Sequence, residues 1–178
     1  MAAPETSVDA QADNGAAGVS VDAPPGHADL LPGQLGTWNL SASVTGETAL
    51  LQVEQLHGKA LGEGITDAWV GQYGVEDGGQ PPAMVWISRS PGEASARELL
   101  QRMTDRISEG NSPFTGLRPM ANQSVEGYAL DGMGQTHYYF LVGTDLYWLA
   151  VDPDQAEAIL DELVGWASGQ VSSQVTKG

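Results

Sequence analysis

The strongest constraint on the fold lies in residues 136–151, where two apolar runs, THYYFLV and LYWLAV, are separated by Gly143-Thr144-Asp145. Each run has the length and the aromatic and β-branched content of a strand, and the short polar connection predicts a hairpin. Because side chains alternate between the two faces of a strand, the aromatic rings point to both faces of the resulting sheet. Each face therefore needs a cover, or one of them is a binding surface.

Two further segments carry the signals of helix ends. The first begins with Ser-Pro-Gly-Glu at 90–93, where we expect the serine to cap the helix and the glutamate to complete a capping box, and it ends at Gly110. The second begins with Asp-Pro at 152–153. Each has one apolar stripe at helical spacing, which predicts packing against a sheet. The stripes comprise Ala96, Leu99, Leu100, Met103 and Ile107 in the first helix and Ala156, Ile159, Leu160, Leu163 and Ala167 in the second.

The other side of each predicted helix is charged. In the first helix, glutamates at 93 and 98 precede Arg97 and Arg102 by four positions, which favours two ion pairs one turn apart. The outer face of the second helix is acidic throughout, at Asp154, Glu157, Asp161 and Glu162. A separate stretch at 47–58, ETALLQVEQLHG, predicts a short helix that ends at Gly58.

Strand-like runs also lie at 37–44, 65–74 and 83–88 and within 117–130. Together with the two amphipathic helices they predict an α+β fold, in which the helices pack on a mainly antiparallel sheet. Residues 85–96 also match residues 147–158 at a constant offset, so that Trp86 is aligned with Trp148 and Pro91 with Pro153. An internal duplication of a hairpin-plus-helix unit explains this match, and so does shared capping chemistry at a strand-to-helix turn.

Residues 1–29 contain no aromatic residue and no Leu or Ile, and they are rich in Ala, Gly, Pro and acids. Such a segment cannot bury enough apolar surface to offset its ordering entropy. We expect a disordered acidic leader at 1–29, a single domain at 30–169 and a flexible tail at 170–178. The start of the chain lacks the features of a signal peptide, so we expect that Met1 is not the native start and that an export signal or a lipid tether precedes the leader.

Seven basic and 23 acidic side chains give a formal charge of −16. A surface this negative repels nucleic acid and anionic lipid, so neither is expected as a partner. The acidity fits a secreted or periplasmic protein, and it also fits a cytoplasmic protein of a salt-adapted organism. The chain has no cysteine, which excludes disulfides, thiolate nucleophiles and cysteine-based metal sites. Its apolar runs are too short to predict a transmembrane segment.

A glycine-rich stretch at 56–69, LHGKALGEGITDAW, invites comparison with phosphate-binding loops. A Walker A loop requires Ser or Thr after Gly-Lys, whereas Ala60 follows Lys59 here, and a dinucleotide fingerprint requires a third glycine where Asp67 stands. Neither motif is complete, so the stretch is interpreted as a loop and no cofactor is expected. His57 and Lys59 remain candidate ligand-binding residues, since lysine is scarce in this chain.

The chain has three histidines, His27, His57 and His137, and no two of them have the spacing of a metal-binding motif. His57 and His137, joined by a distant carboxylate, form the alternative prediction of a metal-binding protein or metal-dependent enzyme. No nucleophile elbow or other catalytic motif is present, so no catalytic residue is predicted. The aromatic residues of the strands, including Trp69 and Tyr73, are either buried core or part of a ligand-binding face.

Several short elements suggest a family. They are Leu-Pro at 31–32, Gly-Thr-Trp at 36–38, Leu-His-Gly-Lys-Ala at 56–60, Tyr73 and the helix start Ser-Pro-Gly-Glu-Ala-Ser at 90–95. On these residues, the segment from about 35 to 110 resembles an uncharacterised family of bacterial extracytoplasmic proteins of unknown function, from which it departs at His57 and Lys59. The resemblance implies export. The order of strands and helices is also similar to the PsbP-like α/β/α sandwich, which is mostly an accessory or lipoprotein fold.

These observations favour a non-enzymatic extracytoplasmic accessory domain, periplasmic or at the cell surface, that binds a protein partner or a small ligand. We expect its binding residues in the loop at 58–67 or on a sheet face. The candidates are His57, Lys59, Trp69 and Tyr73.

Overall fold

The computed structural model of the chain describes residues 30–57, 64–74, 82–110 and 112–175. For residues 56, 57 and 173–175 it describes the backbone alone. These residues form eight strands and three helices. In chain order the elements are β1 (Gln34–Leu35), β2 (Trp38–Thr45), α1 (Gly46–His57), β3 (Asp67–Tyr73), β4 (Ala83–Arg89), α2 (Glu93–Ser108), β5 (Thr115–Pro119), β6 (Gly127–Gly132), β7 (Gln135–Val142), β8 (Asp145–Val151), a 3₁₀ turn (Pro153–Gln155) and α3 (Ala156–Val175).

All eight strands belong to one antiparallel sheet, in the order β1-β2-β3-β4-β8-β7-β6-β5. The predicted α+β class with a mainly antiparallel sheet is therefore confirmed. The expected hairpin is β7 and β8, and the strand-like runs at 37–44, 65–74 and 83–88 correspond to β2, β3 and β4. The stretch at 117–130 lies across the end of β5 and the beginning of β6.

Helices cover both faces of this sheet. Along β7, Tyr138 and Phe140 pack with α3, whereas Tyr139 lies between them in sequence and packs with α2 on the opposite face. The helix α1 lies on the same face as α2, where Ala49 and Val53 pack over β3. Two helices were expected to pack on the sheet, whereas three do so in the described structure. The third is α1, which is formed by most of the stretch at 47–58 and has a buried side.

The suggested duplication is not shown by the structure. Trp86 of β4 and Trp148 of β8 are direct neighbours in the sheet and lie on the same face. The helices that follow these two strands, however, pack on opposite faces of the sheet. A twofold axis that relates two neighbouring antiparallel strands is perpendicular to the sheet and does not exchange the two faces. A duplicated unit would therefore have both helices on the same face of the sheet. The match between 85–96 and 147–158 therefore does not extend to the packing of the helices that follow the two strands.

The two helix starts differ in how they are capped. The prediction that Ser90 caps α2 is wrong: the N-cap is Gly92, and no side chain bonds the free N–H groups there. Ser90 is instead buried at the end of β4, where its N–H donates to the carbonyl of Thr144 at 3.0 Å. The second start is confirmed, since the carboxylate of Asp152 accepts a hydrogen bond from the N–H of Asp154 at 3.1 Å.

Charged side chains on the outer helix faces take part in tertiary contacts. The predicted partner of Arg97 was Glu93, one turn earlier on α2. In the described structure Arg97 instead lies 3.6 Å from Glu126 in the β5–β6 loop. In α3, the carboxylate of Glu162 accepts a hydrogen bond from the N–H of Gly36 at 2.9 Å, and Asp161 accepts one from a side-chain amide of the β5–β6 loop. The outer face of α3 is therefore acidic, as predicted, but part of it anchors loops.

The first described residue contacts α3. Leu30 is buried, and its carbonyl accepts a hydrogen bond from the indole N–H of Trp166 at 3.2 Å. The leader expected at 1–29 lies outside the described residues. The helix continues to Val175, past residue 169, where the tail was expected to begin.

A bidentate ion pair closes one end of the central strands. The guanidinium of Arg89 at the end of β4 donates to both carboxylate oxygens of Asp145, at 2.7 and 2.8 Å, where β8 begins. The same guanidinium carbon lies 5.0 Å from the ring centre of Trp69 on β3. The side chain of Asp145 is only 8% exposed, and the hydrogen bond with Asp145 raises the pKa of Arg89. Three neighbouring strands are therefore joined by one charged group.

We expect Asp145→Asn to lower the free energy of unfolding by about 2 to 3 kcal/mol, because it leaves the guanidinium of Arg89 partly buried without its counter-charge. The matched control is Asp131→Asn. The pair of Asp131 with Arg118 is about half exposed on both sides, so its loss is expected to cost about 0 to 1 kcal/mol. Urea denaturation of both variants measures the difference. Equal losses would contradict the importance assigned to the Arg89 pair.

Candidate functional site

The residues proposed from the sequence as ligand-binding do not form a common exposed surface in the described structure. Lys59 and residues 58–63 of the loop lie outside the described residues, as does the side chain of His57 at the end of α1. Trp69 and Tyr73 lie in the core beneath α3 and are 3% and 0% exposed. The hydroxyl of Tyr73 donates to the carbonyl of Pro32 at 3.0 Å, and burial raises the pKa of Tyr73. Both aromatic side chains therefore serve packing here.

His137 on β7 is held by hydrogen bonds at both ring nitrogens. Its Nε2 lies 3.0 Å from the carbonyl oxygen of Gly132, and its Nδ1 lies 3.2 Å from the indole nitrogen of Trp148. A carbonyl oxygen can only accept and an indole N–H can only donate. His137 is therefore the neutral tautomer with its proton on Nε2, and the ring of Phe114 packs edge-on against it at 4.8 Å.

This arrangement explains the acid-base behaviour of His137. Burial lowers its pKa below the ordinary value of 6.5, although the Gly132 carbonyl and Asp131 act in the opposite direction. A proton added to Nδ1 would also face the indole N–H of Trp148, so that two donors would oppose each other. The neutral ring is thus a buried polar link between β7 and β8.

The groups that a metal site would need are not assembled among the described residues, where no cluster of three or more His, Cys, Asp or Glu side chains occurs. Binding of a metal to Nδ1 of His137 would require the loss of the hydrogen bond from Trp148. The side chain of His57 lies outside the described residues, so its pairing with His137 stays a prediction.

We expect acid to destabilise the protein partly through His137. Because the folded pKa is lower than the unfolded one, the contribution to stability is fully present above about pH 6.5 and is lost as the pH falls toward the folded pKa. The variant His137→Gln keeps an acceptor for Trp148 and a donor for Gly132 but does not titrate. Between about pH 6.5 and 5, the free energy of unfolding should fall more steeply for the wild type than for the variant.

Chemical denaturation at several pH values checks this expectation, and above about pH 7.5 the two curves should run parallel. Parallel curves at all pH values would show that His137 is not kept neutral by the fold.

The described structure has an open groove at the beginning of α3, and we name it the α3 groove. Its volume is about 610 Å³. The floor is formed by the buried side chains of Thr136 and Tyr138 on β7, and one wall is the first turns of α3 with the preceding 3₁₀ turn. Arg118 of β5 forms the other wall. Alternation along β7 puts the two floor residues on the α3 side of the sheet.

Electrostatics give the α3 groove a negative character. Its three lining carboxylates, Asp154, Glu157 and Asp161, are exposed. The one lining cation, Arg118, donates to the carboxylate of Asp131 at 2.8 Å, and this hydrogen bond lowers the pKa of Asp131. Burial raises the pKa of Tyr138, and the nearby carboxylate of Glu157 raises it further. The positive wall is therefore neutralised, while most of the negative wall faces solvent.

This groove was not predicted from the sequence. The acidic face of α3 is visible there, but no sequence pattern marks Arg118, Thr136 or Tyr138 as neighbours of it. The side chains are contributed by β5, β7 and α3, and no spacing along the chain reveals that β5 lies at the sheet edge beside β6. The acidic face was the one signal present in the sequence.

No protein-family model, curated protein or solved structure matches the chain. None of the helices in the described part of the chain has the length and apolarity that a membrane crossing requires. The function is therefore argued from the geometry of the molecule itself.

Proposed function

We propose that the protein is a non-enzymatic extracytoplasmic binding domain, and that it recognises a cationic segment of a partner protein through the α3 groove. The observation that carries this proposal is the groove itself, an open concavity with an aromatic floor and an exposed carboxylate wall. The sheet faces are covered by helices, so a partner meets the edges and ends of the layers more readily than the strands themselves.

The chemistry of the groove suits a lysine or arginine side chain. The aliphatic part of such a side chain can lie over Tyr138, while its charged end reaches Asp154 or Glu157. Asp154 lies in the 3₁₀ turn and Glu157 in the first turn of α3, and both line the groove together with Tyr138. The net charge of the whole chain, −16, would also attract a basic partner from a distance.

A hexalysine peptide is a direct probe of this groove. We expect it to bind the wild type at low ionic strength, and the double variant Asp154→Asn with Glu157→Gln to bind it about three- to tenfold more weakly. The matched control is Glu93→Gln with Glu109→Gln, which removes the same charge from exposed positions at the first residue and the C-cap of α2. This control should retain nearly all of the affinity in isothermal titration calorimetry.

Two results would contradict the proposal. If the control variant loses as much affinity as the groove variant, the peptide senses only the overall charge. If hexalysine does not bind at low salt, the groove does not accept a cationic segment.

The extracytoplasmic location is proposed from the resemblance, the composition of residues 1–29 and the acidity. In the protein purified from its source organism, we expect a mass that shows a trimmed or lipidated start. Intact-mass spectrometry measures this directly. A mature protein that begins at Met1 without modification would favour the cytoplasm of a salt-adapted organism.

A further inference from the structure

A second cavity lies on the other face of the sheet, between α2 and the residues that precede β3. Its volume is about 210 Å³. Arg102 and Glu98 on α2 contribute opposite charges, Ser90 and Ser95 contribute hydroxyl groups, and Leu99 and Ile65 contribute apolar surface. We name it the Arg102 cavity.

Arg102 differs from the other arginines of the described structure. Arg89, Arg97 and Arg118 each lie within ion-pair distance of a carboxylate, and Arg106 is exposed to solvent. The Nε atom of Arg102 is shielded from solvent and has no hydrogen-bond partner in the described part of the chain. A buried donor on a charged group that lacks an acceptor destabilises the folded state. Arg102 also has no ion-pair partner among the described residues, and its side chain lines a cavity that a ligand can enter.

The position of Glu98 narrows the class of ligand. Glu98 lies four residues before Arg102 and lines the same cavity, but the described structure has no ion pair between the two. The two charges face a common space instead of each other. A carboxylate at Arg102 and an ammonium group at Glu98 would satisfy both, with the serine hydroxyls as further partners. The volume corresponds to roughly seven water molecules, which is enough room for a small amino acid.

We propose that the Arg102 cavity binds a small zwitterionic carboxylate of the amino-acid class, with the guanidinium of Arg102 holding the carboxylate and Glu98 the ammonium group. This site is separate from the α3 groove, because α2 and α3 lie on opposite faces of the sheet. Its occupation does not depend on the binding function proposed for that groove.

L-serine is the probe, and the NMR signal of the Arg102 Nε–H group is the reporter. We expect a saturable shift of this signal when L-serine is added, and affinity at least tenfold weaker for Arg102→Gln, measured by calorimetry. Arg106→Gln is the matched control, since it removes the same charge from an exposed position one turn along α2. It should bind L-serine like the wild type. Arg102→Lys keeps the charge but removes the planar guanidinium that can hold a carboxylate with two parallel hydrogen bonds, so it should also weaken binding.

The role of Glu98 has its own readout. Glu98→Gln should weaken binding of L-serine but leave binding of acetate, which has no ammonium group, unchanged. The absence of a saturable shift with L-serine would overturn the proposal. So would undiminished binding in both folded variants of Arg102, whose folding is checked by the dispersion of their amide signals.

Discussion

The antiparallel pairing of β4 with β8 holds the two halves of the molecule together. It runs without interruption from Ala83 opposite Val151 to Arg89 opposite Asp145, and every residue of β8 is buried. Residues 34–89 supply all strands on one side of this pair and residues 115–151 all strands on the other. A sheet with its most apolar strand at the centre requires cover on both faces, and this requirement determines where the helices lie.

Cover on both faces also determines where recognition can take place. The strand aromatics fill two cores, one beneath α3 and one beneath α1 and α2. Two concave surfaces of the described part of the chain lie beside helices, where side chains from different elements meet. The α3 groove and the Arg102 cavity are both of this type, and both combine an aromatic or apolar floor with charged walls.

In a chain with 23 acidic and only seven basic residues, each arginine has a choice of counter-charges. Arg89 joins three strands through Asp145 and Trp69, and Arg118 holds Asp131 at the edge of the sheet. Arg102 is placed beside a carboxylate on its own helix but forms no ion pair with it in the described structure. The structural arginines thus differ from the proposed ligand-binding one in whether a carboxylate of the protein pairs with them. Only the packed molecule determines these pairs.

The sequence by itself determined the local elements. Apolar periodicity and turn residues identified the helices α2 and α3 with their buried stripes, because spacing of 3.6 or 2 residues is a property of the chain alone. The tertiary structure decided what depends on the order and register of the strands. Ser90 lost its expected capping role because its backbone N–H pairs with the carbonyl of Thr144. Trp69 and Tyr73 became core because α3 covers them, and His137 became neutral because the fold buries it beside the indole N–H of Trp148. These contacts join residues 11 to more than 50 positions apart, and no local pattern encodes them.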